Sequence, residues 1–285
     1  MTGYRRVPFL TFVVSPYQKV KINLAGCNFD CKGCFAIAKR EVGRELSVEG
    51  LIDLLVKGCQ RIFGGIADDV QMTGGEPTVN KDYLFSLIQR LRELGVSKIG
   101  LSTNGYLLDR NLVEELKFWD INYIKLDLKA YSDRIHKWYT GRSNKNILRA
   151  VRLLSEYELN FYVRTIYTPG MVESDEIEQI ARFLSQVNRN VSYKIYQFAP
   201  EHIENERLRE SPTAEQMLRA STIARGYLEN AETYTTETVY EPDTSYIEVR
   251  ADELLDEFKR IDEISKSTIE TWNMPYFTMN QILIS

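Results

Sequence analysis

Val20-Lys21-Ile22-Asn23-Leu24-Ala25 runs directly into Gly26-Cys27-Asn28-Phe29-Asp30-Cys31-Lys32-Gly33-Cys34. The first six residues, rich in Val and Ile, read as a strand. The nine that follow read as a loop at its C-terminal end, where the active sites of α/β barrels form. Three thiolates in one short loop can wrap three corners of a cubane iron–sulfur cluster and leave one iron without a protein ligand. A structural zinc site is the other reading of these thiols, but it wants four ligands, normally as two pairs set apart. Cys59 would have to be the fourth. It falls in a helical pattern beside Leu55 and Ile62, the setting of a buried thiol. No secretory signal precedes the three clustered cysteines, so metal ligation is favoured over disulfides.

Working outward, strand-like runs alternate with helical periods, the pattern of βα units around a parallel sheet. The expected strands are Val20–Ala25, Asp69–Thr73, Lys98–Thr103, Tyr123–Leu128, Phe161–Tyr167 and Ser192–Phe198. Helices are expected from an N-cap at Ser47 through Phe63, and over Asp82–Leu94, Asn144–Tyr157, Ser174–Val187 and Thr213–Glu229. Beyond Ala231 the alternation breaks into the Thr- and Tyr-rich run Thr233–Tyr240, a charged helical run Ala251–Ser265 with a solvated face, and an aromatic tail Trp272–Phe277. The expected architecture is an α/β partial (βα)6 TIM-like barrel over residues 1–230, with residues 231–285 as a C-terminal extension packed on that core. The tail aromatics Tyr240, Tyr246, Trp272, Tyr276 and Phe277 would serve as core or lid.

Composition agrees with a compact body: of 285 residues, 44% are hydrophobic and 27% charged. The net charge of -4 argues against a surface that grips nucleic acid through phosphates. The apolar stretch Val7–Val14 is too short for a signal or a membrane span, which needs about 20 residues. A cytoplasmic location is expected.

A second motif, Thr73-Gly74-Gly75-Glu76-Pro77, follows the second strand. The glycines let the backbone approach a ligand closely, and Glu76 supplies a carboxylate able to accept hydrogen bonds from an ammonium group. Standing alone it would read as an ordinary strand-to-helix turn.

Cys-x3-Cys-x2-Cys after the first strand, with Thr73–Pro77 after the second, resembles the radical S-adenosylmethionine superfamily. Further segments are similar in type and order to the activating enzymes of glycyl radical enzymes, among them pyruvate formate-lyase activating enzyme: Leu101–Gly105, Lys125–Lys129, His136–Asn144, Ile147-Leu148, Val163–Thr165 and Thr168–Gly170. The likeness spans roughly residues 18–200. It implies a [4Fe-4S] cluster on Cys27, Cys31 and Cys34, with S-adenosylmethionine chelating the fourth iron. It also implies cofactor contacts from Thr73, Gly74, Gly75, Glu76, Ser102, Thr103 and Asn104, and places Asp127, Lys129 and Arg164 in the catalytic site near the cofactor's carboxylate. Asp127 and Lys129, two apart on a strand, point the same way; a structural ion pair is the alternative.

The pattern departs from that subgroup at Gly33, where an aromatic residue is usual and Phe35 would take over packing near the adenine. It departs also at Ser102, at Lys125 and around Gln197, Phe198 and His202, and it lacks the N-terminal Gly-rich segment. By the resemblance, reduced flavodoxin or ferredoxin supplies the electron, and the substrate is a glycine of a partner protein. Modification of a small molecule or RNA base is a second reading, and a non-enzymatic iron–sulfur or zinc protein a third.

Overall fold

The computed structural model describes residues 3–203, 205–235, 244–268 and 273–284. In chain order the strands are β1 (Arg5–Val7), β2 (Phe9–Ser15), β3 (Lys19–Leu24), β4 (Arg44–Leu46), β5 (Asp69–Gly74), β6 (Lys98–Thr103), β7 (Tyr123–Asp127), β8 (Phe161–Tyr167), β9 (Ser192–Gln197), β10 (Ala231–Tyr234), β11 (Ser245–Arg250) and β12 (Tyr276–Thr278). The helices are α1 (Val48–Phe63), α2 (Lys81–Glu93), α3 (Arg110–Phe118), α4 (Asp133–Thr140), α5 (Lys145–Glu156), α6 (Ser174–Val187), α7 (Ala214–Arg225), α8 (Leu255–Thr268) and α9 (Met279–Leu283). The six expected parallel strands are β3 and β5 to β9, each end within one residue of expectation.

Contacts divide the chain into two compact units. The first comprises Met1–Asn28, Ala36–Ser102 and Pro242–Ser285. Here β3, β5 and β6 run parallel, and β2 pairs antiparallel with β3. β11 pairs antiparallel with β2 and parallel with β12. The apolar N-terminal stretch is therefore an interior strand: Leu10 and Phe12 are fully buried, as befits residues covered on the sheet's helix-bearing side. Ser47 caps α1 as expected, its hydroxyl accepting from the Gly50 amide at 3.1 Å. The same helix buries Leu51, Leu54, Leu55 and Cys59. Burial pushes the Cys59 thiol up to about 11, the behaviour of an inert core thiol.

The second unit comprises Phe29–Phe35 and Thr103–Glu241. Its strands β7, β8, β9 and β10 are consecutive parallel neighbours. β8 shows strict alternation, with Phe161, Val163, Thr165 and Tyr167 buried and Tyr162, Arg164 and Ile166 half-buried on the opposite face. That second face carries the candidate site.

Several elements were not among those expected from sequence. Helices α3 and α4 are short and polar, yet Asp109 caps α3 by accepting from Leu112 N at 2.9 Å. In the tail, α8 is not uniformly solvated: Phe258 is buried and its ring meets Phe9 edge-on at 5.4 Å. Arg250 lies over Tyr276 and Arg61 over Phe277, while Lys21 covers Tyr246. Tyr240 and Trp272 lie outside the described residues.

Candidate active site

The cysteine loop begins in the first unit, where β3 ends. Ala25 N donates to Arg6 O at 2.8 Å and Gly26 N to Ala38 O at 2.9 Å, fixing the exit of the chain toward Cys27. In the second unit the loop is held by the end of α4. Asp30 N donates to Thr140 O at 2.9 Å and Lys32 N to Tyr139 O at 3.0 Å. The last carbonyls of a helix have no partner within it, and the loop amides satisfy two of them here. Phe29 adds edge-on contacts to Tyr106 and His136. Cys27 is half-buried, Cys31 buried and Cys34 exposed, and none is in a disulfide. Among the described residues, no group of three His, Cys, Asp or Glu side chains is placed as ligands of a single metal ion would be.

The motif after β5 has a structural reason for its glycines. Gly74 has φ of 110°, and a Cβ there would stand 2.6 Å from Leu24 N. At Gly75 a Cβ would lie 2.2 Å from Gly26 O. The close approach in the structure is thus to the chain's own backbone, at the start of the cysteine loop. Glu76 is fully buried and accepts from Thr78 N at 3.1 Å and Thr78 Oγ1 at 2.6 Å, capping the turn that begins at Pro77. Thr73 half-faces solvent at the end of β5. Ser102 accepts from Gln71 at 2.7 Å. In the second unit, Thr103 accepts from Gly105 N and Asn104 from Tyr106 N, both at 3.0 Å, which shapes the turn after β6.

The second unit also holds a cavity of about 270 Å³, lined in part by Gly33, Phe35, Asp127, Lys129, Arg164 and Phe198. Asp127 accepts from Arg164 Nε at 2.7 Å on one oxygen and from Lys129 Nζ at 3.1 Å on the other. Burial works to raise the Asp127 carboxyl, but the two cations and their hydrogen bonds hold it below its ordinary value. Burial likewise works against the Lys129 ammonium, and Asp127 keeps it above the ordinary lysine range, helped by the proximity of Cys31 and Tyr139. Two cations on one carboxylate leave one positive charge in the cavity wall, beside the loop that carries Cys31 and Cys34. Such a site favours a ligand bearing a carboxylate. Phe35 is exposed and stacks on His202 at 5.5 Å.

Tyr139, Ile166, Tyr196 and Tyr234 were not singled out from sequence. Tyr139 stands against Gly33, and the other three line the cavity. The signal for two of them was the period-two alternation Tyr162-Arg164-Ile166 and Ser192-Lys194-Tyr196, which puts alternate residues on one face.

Residues 24–184 match the radical SAM superfamily. A Methanocaldococcus jannaschii protein assigned as a glycyl-radical enzyme activating enzyme is 34% identical, over 76% of this chain and 81% of that one. Among solved structures, a domain of pyruvate-formate lyase-activating enzyme from Bacteroides vulgatus covers 58% of this chain and 98% of its own, at 20% identity and a TM-score of 0.50. Streptococcus suis SuiB bound to S-adenosylmethionine covers 73% of this chain and 48% of its own, at 16% identity and a TM-score of 0.58. These likenesses show the fold, the partial TIM barrel of six βα units.

Proposed function

This chain belongs to the radical S-adenosylmethionine superfamily, and from that premise we propose that it activates a partner protein by placing a radical on one of its glycines. It is an enzyme of the class that works with a [4Fe-4S] cluster and S-adenosylmethionine. When bound, that pair supplies one-electron reductive cleavage of a carbon–sulfur bond and a 5′-deoxyadenosyl radical, which takes a hydrogen atom from the substrate.

The residues present fit both groups. Cys27, Cys31 and Cys34 provide three thiols on one loop, none lost to a disulfide, and would hold the cluster. The net positive charge of the Asp127, Lys129 and Arg164 group fits the cofactor's carboxylate, with Lys129 as the donor. Thr73, Gly74, Gly75, Ser102, Thr103 and Asn104 would lie along the cofactor, and Phe35 beside its adenine. Glu76 would act on it through the turn that its carboxylate already caps. Phe35, Tyr196 and Phe198 give the cavity apolar wall that excludes water from the reacting centre. Reduced flavodoxin or ferredoxin would deliver the electron at the exposed Cys34 side of the loop. Residues 231–285 would complete the body as an extension of the core.

The observation that carries this reading is that Gly33 and Phe35, from the cysteine loop, line the same cavity as Asp127, Lys129 and Arg164. The test is anaerobic incubation of the reconstituted protein with its genomic-neighbour protein and S-adenosylmethionine. A persistent glycyl radical signal with stoichiometric cofactor consumption supports activation. Many turnovers of a low-molecular-weight product, with no protein radical, would replace it with small-molecule chemistry.

A further inference from the structure

Across the four parallel strands of the second unit, one row of in-register residues reads Asp127, Arg164, Lys194, Glu232. The outer carboxylates each serve the nearest cation: Arg164 Nε is 2.7 Å from Asp127, and Lys194 Nζ is 3.4 Å from Glu232. The middle of the row is two cations side by side on neighbouring strands, an arrangement that costs stability unless something negative lies between them. Both are largely withdrawn from water, with side chains 27% and 24% exposed.

The rows on either side add donors. Tyr162, two residues before Arg164, has its ring 4.9 Å from the Lys194 ammonium. Tyr196, two residues after Lys194, lines the cavity and stacks on Tyr234 at 4.9 Å. Lys194 donates to the Tyr234 hydroxyl at 3.0 Å. Among the described residues, neither the Tyr162 nor the Tyr196 hydroxyl makes a hydrogen bond, and the terminal nitrogens of Arg164 make none either. These donors surround the middle of the row, where two cations, each already paired outward with a carboxylate, face one another.

We infer that Arg164, Lys194 and the hydroxyls of Tyr162 and Tyr196 form a subsite for an oxyanion carried by the substrate, separate from the Lys129 position assigned to the cofactor. The inference rests on the reading that the cavity lined by Arg164 and Tyr196, next to Lys194 and Tyr162, receives cofactor and substrate together. A carboxylate would take the free edge of the Arg164 guanidinium in a two-point contact, and a phosphate would use the same donors. For a protein substrate the source is an acidic side chain close to the reacting glycine.

The test uses the full reconstituted protein, anaerobically, and reads its thermal midpoint with acetate or inorganic phosphate at constant ionic strength against chloride. With the probe at about tenfold its dissociation constant, the midpoint should rise by about 2 °C. Lys194→Met should lose that rise. A response to acetate identifies the carboxylate source; a response to phosphate alone identifies a phosphorylated substrate. An equal rise in Lys194→Met, or none in either protein, would overturn the subsite. A rise that vanishes once S-adenosylmethionine is present would reassign the oxyanion to the cofactor. Because no cofactor cleavage is measured, failure here is distinct from failure of the proposed activity.

Discussion

The hydroxyl of Tyr139 stands over Gly33, so near that a Cβ built on Gly33 would lie 2.5 Å from it. Phe198 closes the other side at 3.1 Å. The tyrosine comes from α4, whose terminal carbonyls also take the amides of Asp30 and Lys32. One short helix thus sets both the backbone and the packing of the cysteine loop, and glycine at position 33 is what lets the two meet.

Gly33→Ala should therefore displace either the loop or the Tyr139 ring, at an overpacking cost of about 1–3 kcal/mol. Iron and sulfide retained after reconstitution should fall, and the loss should be smaller when Tyr139→Phe removes the hydroxyl. Equal cluster content in Gly33→Ala and the unmodified protein would contradict the contact.

Cys31→Ala should abolish cluster-dependent cofactor cleavage and leave the fold intact, since the amides of Asp30 and Lys32 tie the loop to the end of α4. Iron analysis together with far-ultraviolet circular dichroism checks both halves. Cleavage persisting with a full cluster would remove Cys31 from the ligand set.

Glu176, almost fully buried, accepts from Tyr131 N at 2.7 Å and Ser132 N at 3.0 Å, just past the strand end that bears Asp127 and Lys129. Glu176→Ala leaves two amides without acceptors and should cost about 2–4 kcal/mol. Glu176→Gln, which keeps one oxygen, should cost less. Chemical denaturation measures the order of the two, and faster amide exchange at Tyr131 and Ser132 would localise the effect.

Burial depresses Lys19 from 10.5 to about 8, against the opposing attraction of Asp69. Below pH 8 folding must bury an ammonium. Between about pH 8 and 10.5 the folded chain has released that proton while the unfolded chain still holds one, so stability rises with pH across this window. The rise should be at most about 3 kcal/mol. The difference in unfolding free energy between the unmodified chain and Lys19→Met should carry this slope; a flat difference would show that Lys19 is not desolvated.

Much of the barrel was legible because each of its six strands is a short Val-, Ile- or Tyr-rich run closed by a loop, information contained within the run itself. The cysteine loop was legible for the same reason: Cys27, Cys31 and Cys34 are near in sequence. β2 was not, because Phe9–Ser15 shows its role only once β11, over two hundred residues later, pairs with it. The opposition of Arg164 and Lys194 was equally hidden, since strand register depends on packing and nothing in either strand records the offset. The packing role of Tyr139 could not be read from its segment His136–Asn144, because α4 is a polar two-turn helix whose importance lies in what its last turn touches.

The most direct measurement is chromatography for 5′-deoxyadenosine after anaerobic reconstitution with iron and sulfide and reduction with dithionite in the presence of S-adenosylmethionine. The nucleoside should form with the unmodified chain and not with Cys31→Ala. A fully assembled, reducible cluster that binds S-adenosylmethionine and still yields no nucleoside, with or without the partner protein, would contradict the assignment.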